Sequence, residues 1–171
     1  MNIFLIGFMG SGKSSVGRRL ASQLGYDFVD SDLEIEKKAG KKIPEIFSED
    51  GEPHFRSLEG EFLKNLEVDN VVISLGGGTP CNEENIQLMK SKGKSIYMTM
   101  SPKALVHRLV NSRNPRPLVQ QYQGKPEELL KFIETKLAER EPYYLQADIH
   151  LDGLNVDAEK LGQIAQILQY H

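Results

Sequence analysis

One short segment near the start of the chain limits what it can fold into more than any other. Residues 7–14, GFMGSGKS, match the pattern G-x-x-x-x-G-K-[S/T]. An apolar run at residues 3–6 precedes this segment, and a helical pattern at residues 14–24 follows it and ends at Gly25. A glycine-rich loop between a strand and a helix can turn its backbone N–H groups inward, and the helix N-terminus adds partial positive charge. The segment therefore predicts a phosphate-binding loop (P-loop), and the alternative is a glycine turn with an incidental lysine.

Two side chains of this loop have a specific predicted chemistry. Lys13 can reach the β- and γ-phosphates of a nucleotide, and the Ser14 hydroxyl can ligate Mg²⁺. The sequence contains no Asn-Lys-x-Asp pattern of the kind that recognises guanine, which favours ATP as the nucleotide. The predicted ATP-binding residues of the loop are Gly10, Ser11, Gly12, Lys13, Ser14 and Ser15.

Short apolar runs alternate with helical patterns along the rest of the chain. They predict five strands, at residues 3–6, 27–29, 71–75, 95–100 and 147–151. The last helical pattern carries Leu161, Ile164, Ala165 and Leu168 on one face. Strands that alternate with helices are typical of a parallel sheet covered on both faces. We therefore expect a three-layer α/β fold with a central five-stranded parallel sheet flanked by helices, in a single domain over residues 1–171.

Two segments do not fit the simple alternation. Residues 31–67 contain helical patterns and no apolar run typical of a strand, which predicts an inserted helical region. Residues 111–125 are rich in Asn, Ser, Pro, Gln and Gly, which predicts a mobile loop.

An acidic pair, Asp30 and Asp32, follows the second predicted strand. Ligands of open α/β sheets bind beyond the carboxyl ends of the strands, so these acids could hold the water shell of Mg²⁺ or accept a proton from a hydroxyl. The alternative is that this segment only starts a helix, with Ser31 and Glu34 as a capping box.

Three arginines are candidate anion-binding residues: Arg56, Arg116 and Arg140. Arg56 has glutamates at helical spacing and Arg140 has glutamates beside it, so a surface salt bridge is the alternative for both. Arg116 lies between two prolines in the predicted mobile loop. The glycines at 76–78 follow a predicted strand, and they form either a tight turn or a backbone surface that a substrate can approach closely.

Composition excludes several classes of partner. The formal net charge is −3, which provides no broad positive field for nucleic acid or an anionic membrane. No apolar stretch reaches membrane-spanning length. The single cysteine, Cys81, is predicted to be a filler side chain and not a nucleophile, and it fits a reducing compartment. We expect a cytoplasmic protein, and a monomer because no long apolar stripe calls for a partner.

Taken in order, these motifs resemble those of the shikimate kinase family, within the nucleoside-monophosphate-kinase-like P-loop fold. The resemblance covers the P-loop, the Asp30–Asp32 pair, the Arg56 block, the triple glycine, Arg116-Pro117-Leu118, and Arg140 followed by two tyrosines. It implies an enzyme that phosphorylates the 3-hydroxyl of shikimate with ATP and Mg²⁺. A kinase for gluconate or a nucleoside monophosphate, or an ATP-responsive binding module, are the alternatives.

The resemblance also implies that residues 31–67 form a substrate-binding insertion and residues 111–125 a mobile lid, and it implies a role for each candidate residue. Mg²⁺ would bind Ser14 with Asp30 in its water shell, and Arg116 would close over the reacting phosphates together with Lys13. The shikimate hydroxyls would contact Asp32, as base, and the backbone of Gly77 and Gly78, while Arg56 and Arg140 would bind the carboxylate. Either Arg108 or Arg113 would stack on adenine.

Overall fold

The centre of the computed structural model is a five-stranded parallel sheet. The structure describes residues 1–113 and 116–170, except for the side chain of Leu118. The strands are β1 (Asn2–Ile6), β2 (Asp27–Asp30), β3 (Val71–Ser74), β4 (Gly93–Thr99) and β5 (Ile149–Asp152). They lie in the order β2-β3-β1-β4-β5, and each neighbouring pair is parallel. The predicted five-stranded parallel sheet is confirmed, with strand ends that differ from the prediction by one or two residues.

Helices connect the strands. Helix α1 (Lys13–Leu24) follows β1, and α2 (Ser31–Ala39), α3 (Ile43–Asp50) and α4 (Glu52–Lys64) lie between β2 and β3. Helix α5 (Glu83–Lys92) precedes β4, and α6 (Pro102–Val110), α7 (Pro117–Gln121) and α8 (Pro126–Tyr144) precede β5. Helix α9 (Ala158–Gln169) follows β5.

The side chains of the central strand divide the core into two layers. Successive residues of a strand point to opposite faces of the sheet. Ile3 and Leu5 belong to the core layer that α1 and α9 cover, and Phe4 and Ile6 belong to the layer that α8 and other helices cover. All four side chains are fully buried. A strand buried on both faces is a continuous apolar run, and that is why β1 could be recognised from sequence.

The segment between β2 and β3 has a small core of its own. Ile35 of α2, Ile46 of α3 and Phe55 of α4 are buried against one another. The prediction of helices without a strand in this segment agrees with the structure. The description of residues 111–125 as a loop is wrong in part, because residues 117–121 form α7 with Pro117 in its first turn. Residues 114 and 115 of that segment lie outside the described residues.

The strand order brings the ends of β1, β2 and β3 together. Ser74 at the end of β3 is in register with Leu5 on one side and with Asp30 on the other. The segments at the ends of these strands are the P-loop, the Asp30–Asp32 segment and the triple glycine, so the fold gathers them at one edge of the sheet. Within the described residues, no helix is both long and apolar enough to cross a membrane.

Candidate active site

The P-loop curls around the N-terminus of α1. Gly10 and Gly12 have φ values of 83° and 89°, which residues other than glycine rarely adopt. The Lys13 ammonium donates hydrogen bonds to the carbonyls of Gly7 at 2.8 Å and Phe8 at 3.0 Å. Ser11 is fully buried, and its hydroxyl has no partner among the described residues. The loop has the geometry of an anion site at a helix N-terminus.

Lys13 sits in an electrostatic environment that weakens its hold on its proton. The pKa of Lys13 is lowered to about 7, mainly by burial and also by the positive charges of Arg116 and Arg140, while Asp32 and Asp30 oppose the change. A cation that is destabilised by burial and by other cations gains from an incoming anion. This electrostatic arrangement therefore suits a polyphosphate.

Asp30 joins the P-loop to the start of α2. Its Oδ2 accepts a hydrogen bond from the Ser14 hydroxyl at 3.1 Å, and its Oδ1 accepts from the backbone N–H of Asp32 at 3.1 Å. Asp30 is thus the N-cap of α2. The predicted capping box of Ser31 and Glu34 is wrong, because the buried Ser31 hydroxyl instead accepts a hydrogen bond from the N–H of Gly76.

Asp32, unlike Asp30, does not cap a helix. Its Oδ1 is buried without a hydrogen-bond partner in the described part of the chain. The pKa of Asp32 is raised to about 6, mainly by burial and also by the negative charges of Asp30 and Glu59, while Lys13 and Arg116 oppose the rise. A buried acceptor without a donor is costly in a folded protein and is typical of a functional site.

Each glycine of the triple-glycine turn packs against one candidate side chain. A Cβ atom on Gly76 would lie 2.8 Å from Oδ1 of Asp32, and one on Gly77 would lie 2.9 Å from Nη1 of Arg140. A Cβ atom on Gly78 would lie 2.6 Å from Cζ of Arg56. Each approach is too close for a Cβ atom unless the side chain that it meets moves away, so glycine at these positions lets all three side chains lie against the turn. The turn brings Asp32, Arg140 and Arg56 together.

Arg56 and Arg140 are held differently. Arg56 forms ion pairs with Glu59 at 2.8 Å and with the exposed Glu52 at 3.3 Å, so the salt-bridge alternative holds in part. Arg140 forms no ion pair with another described residue, and its guanidinium lies 5.4 Å from the centre of the Phe8 ring. The salt-bridge alternative therefore fails for Arg140 in the described structure.

Glu59 is a residue of this site that the sequence did not reveal. Its side chain is 1% exposed, and its carboxylate accepts hydrogen bonds from Arg56 and, at 2.7 Å, from the buried Thr79 hydroxyl. The spacing of Arg56 and Glu59 predicted only a surface pair. Glu59 is buried in contact with Thr79, twenty residues further along the chain, and helical spacing cannot show such a contact.

A cavity of about 390 Å³ lies between the P-loop and the acids. Lys13, Ser14, Asp30, Asp32 and Arg116 line it together. Arg108 also lines it, and donates a hydrogen bond to the Gly153 carbonyl at 3.2 Å, whereas the exposed Arg113 does not line it. Gly78, Arg56 and Arg140 are not among its lining residues, and they adjoin it through the glycine turn.

Two other predictions concern metal and thiol chemistry. No group of three or more metal-ligating side chains occurs within the described residues. Mg²⁺ is commonly held by one or two protein oxygens together with substrate phosphates, and the Ser14 and Asp30 oxygens could supply these. Burial raises the pKa of the Cys81 thiol to about 11, which agrees with its prediction as a filler.

A P-loop at the edge of a parallel sheet, facing an unpaired carboxylate and a set of arginines, defines a P-loop kinase of a small molecule. The family model for shikimate kinase matches residues 9–169. A shikimate kinase of Chlorobium limicola is 43% identical over 170 residues, which cover 97% of this chain and 83% of the relative. The chain belongs to the shikimate kinase family.

Solved structures agree with this assignment. A crystal structure of shikimate kinase from Bacteroides thetaiotaomicron matches 99% of this chain and 97% of its own, with a TM-score of 0.87 and 38% identity. A shikimate kinase from Acinetobacter baumannii in complex with shikimate matches 99% of this chain and 91% of its own, with a TM-score of 0.78 and 35% identity.

Proposed function

We propose that this protein transfers the γ-phosphoryl group of ATP to the 3-hydroxyl of shikimate, giving shikimate 3-phosphate and ADP. The observation that carries the proposal is the triple-glycine turn. Its three glycines lie against Asp32, Arg140 and Arg56, a hydroxyl acceptor and two cations that suit a hydroxylated carboxylic acid. Neutral sugars have no carboxylate for two arginines to bind, whereas gluconate has one, and membership of the shikimate kinase family favours shikimate over gluconate.

In this proposal the P-loop and the lid bind the phosphates. The N–H groups of Gly10, Ser11 and Gly12, with Ser14 and Ser15, hold the phosphate oxygens, and Lys13 spans the β- and γ-phosphates. Arg116 meets the transferring phosphoryl group from the other side of the cavity. Phosphoryl transfer has a loose transition state, so positioning and charge neutralisation supply most of the catalysis.

Ser14 and Asp30 would hold Mg²⁺, Ser14 directly and Asp30 through water. Bound there, the ion would neutralise charge on the β- and γ-phosphate oxygens. The hydrogen bond from Ser14 to Asp30 at 3.1 Å, which keeps these two oxygens close together, supports this proposal.

Asp32 orients the acceptor and takes its proton. Its unpartnered Oδ1 is the acceptor that a shikimate hydroxyl would satisfy. With a pKa of about 6, Asp32 is mostly ionised at neutral pH and yet accepts a proton more readily than an ordinary carboxylate. Gly77 and Gly78 offer backbone groups to the shikimate ring. Arg56 and Arg140 bind its carboxylate and fix its orientation.

Arg108 is the candidate for stacking on adenine. It lies at the P-loop, where a Cβ atom on Gly12 would be 3.0 Å from its Nη1, and its bond to Gly153 orients the guanidinium. Arg113 has neither contact. We also propose that the protein acts in the cytoplasm, which its single, half-buried cysteine fits, and that it acts as a monomer.

The test is ADP release from ATP with shikimate, gluconate or a nucleoside monophosphate as acceptor. We expect release with shikimate and only background release with the other two. Release that is equal with all three, or fastest with gluconate or the nucleotide, would overturn the proposed acceptor. Release that no acceptor stimulates would favour a binding module with slow ATPase activity.

A further inference from the structure

Tyr144 is a fully buried tyrosine near the acceptor site with a polar contact that its packing role does not explain. Its ring packs on Tyr97, with centroids 5.1 Å apart, inside the larger core layer. Phenylalanine would fill the same space without placing a hydroxyl in the core. The Tyr144 hydroxyl donates a hydrogen bond to the carbonyl of Gly77, 67 positions earlier in the chain. The hydroxyl therefore acts on the glycine turn.

Gly77 and Gly78 are the central residues of a four-residue turn. The N–H of Thr79 donates to the carbonyl of Gly76 at 3.0 Å, which closes a turn over residues 76–79. Gly78 does not adopt the left-handed φ that a type II turn requires at this position. An alternative β-turn has its central peptide rotated by roughly 180°. Because both central residues are glycine, that alternative carries no steric penalty here.

The orientation of that central peptide decides where the Gly78 N–H points. A trans peptide is planar, with its C=O and N–H directed to opposite sides. The hydrogen bond from Tyr144 fixes the Gly77 carbonyl on the α8 side, so the Gly78 N–H points away from α8. The Cys81 thiol adds a weaker bond to the same carbonyl at 3.6 Å. The Gly78 N–H itself donates no hydrogen bond to residues 1–113 or 116–170.

We propose that Tyr144 is a positioning residue that holds the Gly77–Gly78 peptide in the orientation that presents the Gly78 N–H to the bound acceptor. This inference rests on the proposed function, which gives the Gly77 and Gly78 backbone a place in the shikimate site. Tyr144 does not touch the substrate. It prevents the turn from adopting the orientation in which the Gly78 N–H faces α8 and is lost to the acceptor.

A second route of action would run through Arg140, which lies one helical turn before Tyr144 on α8. A Cβ atom on Gly77 would be 2.9 Å from Nη1 of Arg140 and 3.5 Å from the Tyr144 hydroxyl, so both groups surround the same glycine. The two routes predict different results in combination. If Tyr144 acts on the peptide, its removal should weaken shikimate binding whether or not Arg140 is intact.

The test is Tyr144→Phe, with Tyr97→Phe and Tyr143→Phe as matched controls. Tyr97 is the buried ring partner of Tyr144 and its hydroxyl has no described hydrogen bond; Tyr143 is the adjacent tyrosine in the chain. We expect Tyr144→Phe to raise KM for shikimate roughly 3- to 10-fold, as for loss of one hydrogen bond, with kcat and KM for ATP within about twofold. Both controls should leave the two Michaelis constants within about twofold.

Three further results bear on the inference. Tyr144→Phe should raise KM for shikimate by the same factor in an Arg140→Lys background as in the native protein. If it does not raise KM in that background, Tyr144 acts through Arg140, and the proposed action on the peptide is overturned. In the native protein, shikimate should shift the amide resonance of Gly78 more than ADP does, and no shift would overturn the proposal without any variant. If native protein phosphorylates shikimate but Tyr144→Phe leaves its KM unchanged, only this inference fails; if it does not phosphorylate shikimate, the proposed function fails.

Discussion

Gly78→Ala should separate acceptor binding from nucleotide binding by means of a single methyl group. The new Cβ would overlap the guanidinium of Arg56, with Cζ at 2.6 Å. The overlapping atoms are the end of a flexible side chain, so the guanidinium should move while the backbone stays in place. Arg56 would then lose both its proposed hold on the acceptor and its ion pair with the buried Glu59.

The magnitude follows from the contacts that are lost. One charge-assisted hydrogen bond is worth about 1.5–3 kcal/mol, so KM for shikimate should rise roughly 10- to 100-fold. KM for ATP should stay within about twofold, because the P-loop is untouched. The free energy of unfolding should fall by about 1–3 kcal/mol, because the Glu59 carboxylate loses one of its two donors.

The assay is steady-state kinetics with each substrate varied in turn, together with a thermal melt. Gly162→Ala is the matched control, since a Cβ atom there meets no other atom within 4 Å and the residue lies in α9. That control should keep both Michaelis constants and gain about 0.5–1 kcal/mol of stability. A folded Gly78→Ala variant whose KM for shikimate stays within twofold of native would refute the proposed role of Arg56.

Three other substitutions test the remaining roles. Asp32→Asn should lower kcat roughly 100-fold. It should also raise the free energy of unfolding by about 2–3 kcal/mol at neutral pH but not below about pH 4. The reason is that the fold raises the Asp32 pKa from 3.8 to about 6, so the cost of ionising Asp32 in the folded protein is absent below the first value and complete above the second. Kinetics and melts at both pH values check this, and unchanged activity would contradict it. Arg116→Ala should lower kcat more than it raises KM for shikimate, and the reverse pattern in steady-state kinetics would move Arg116 into the acceptor site. Arg140→Lys should raise KM for shikimate roughly 10-fold or more while Glu139→Gln has no effect, and equal effects of the two would contradict a carboxylate role.

The sequence was sufficient for those features that depend on local patterns. The P-loop is a contiguous motif whose strand and helix are its immediate neighbours, so residues 7–14 could be identified directly. The buried parallel strands appear as uninterrupted apolar runs, which β1 and β3 illustrate. Arg108 and Arg113 could not be separated in this way, because the contact that distinguishes Arg108 is made to Gly153 after β5.

Features that depend on distant contacts could not be predicted. Asp30, rather than Ser31, caps α2 because the Ser31 hydroxyl is taken by Gly76, 45 positions later. The buried Glu59 carboxylate accepts a hydrogen bond from Thr79, and the Tyr144 hydroxyl donates one to Gly77, because the fold places the glycine turn against both side chains. Helix α7 was missed because the composition of residues 111–125 is typical of a loop, although Pro117 is well placed to start a helix.

The most direct test of the central claim is to identify the product of the reaction of ATP with shikimate by phosphorus and proton NMR. Native protein should give equimolar ADP and a single phosphate ester whose phosphorus couples to the proton on carbon 3 of shikimate. Lys13→Met, folded as judged by its melt, should form that product at least roughly 100-fold more slowly, as for loss of a major transition-state contact. ADP formed without a shikimate ester, an ester at another hydroxyl, or near-native turnover by the Lys13→Met variant would contradict the account.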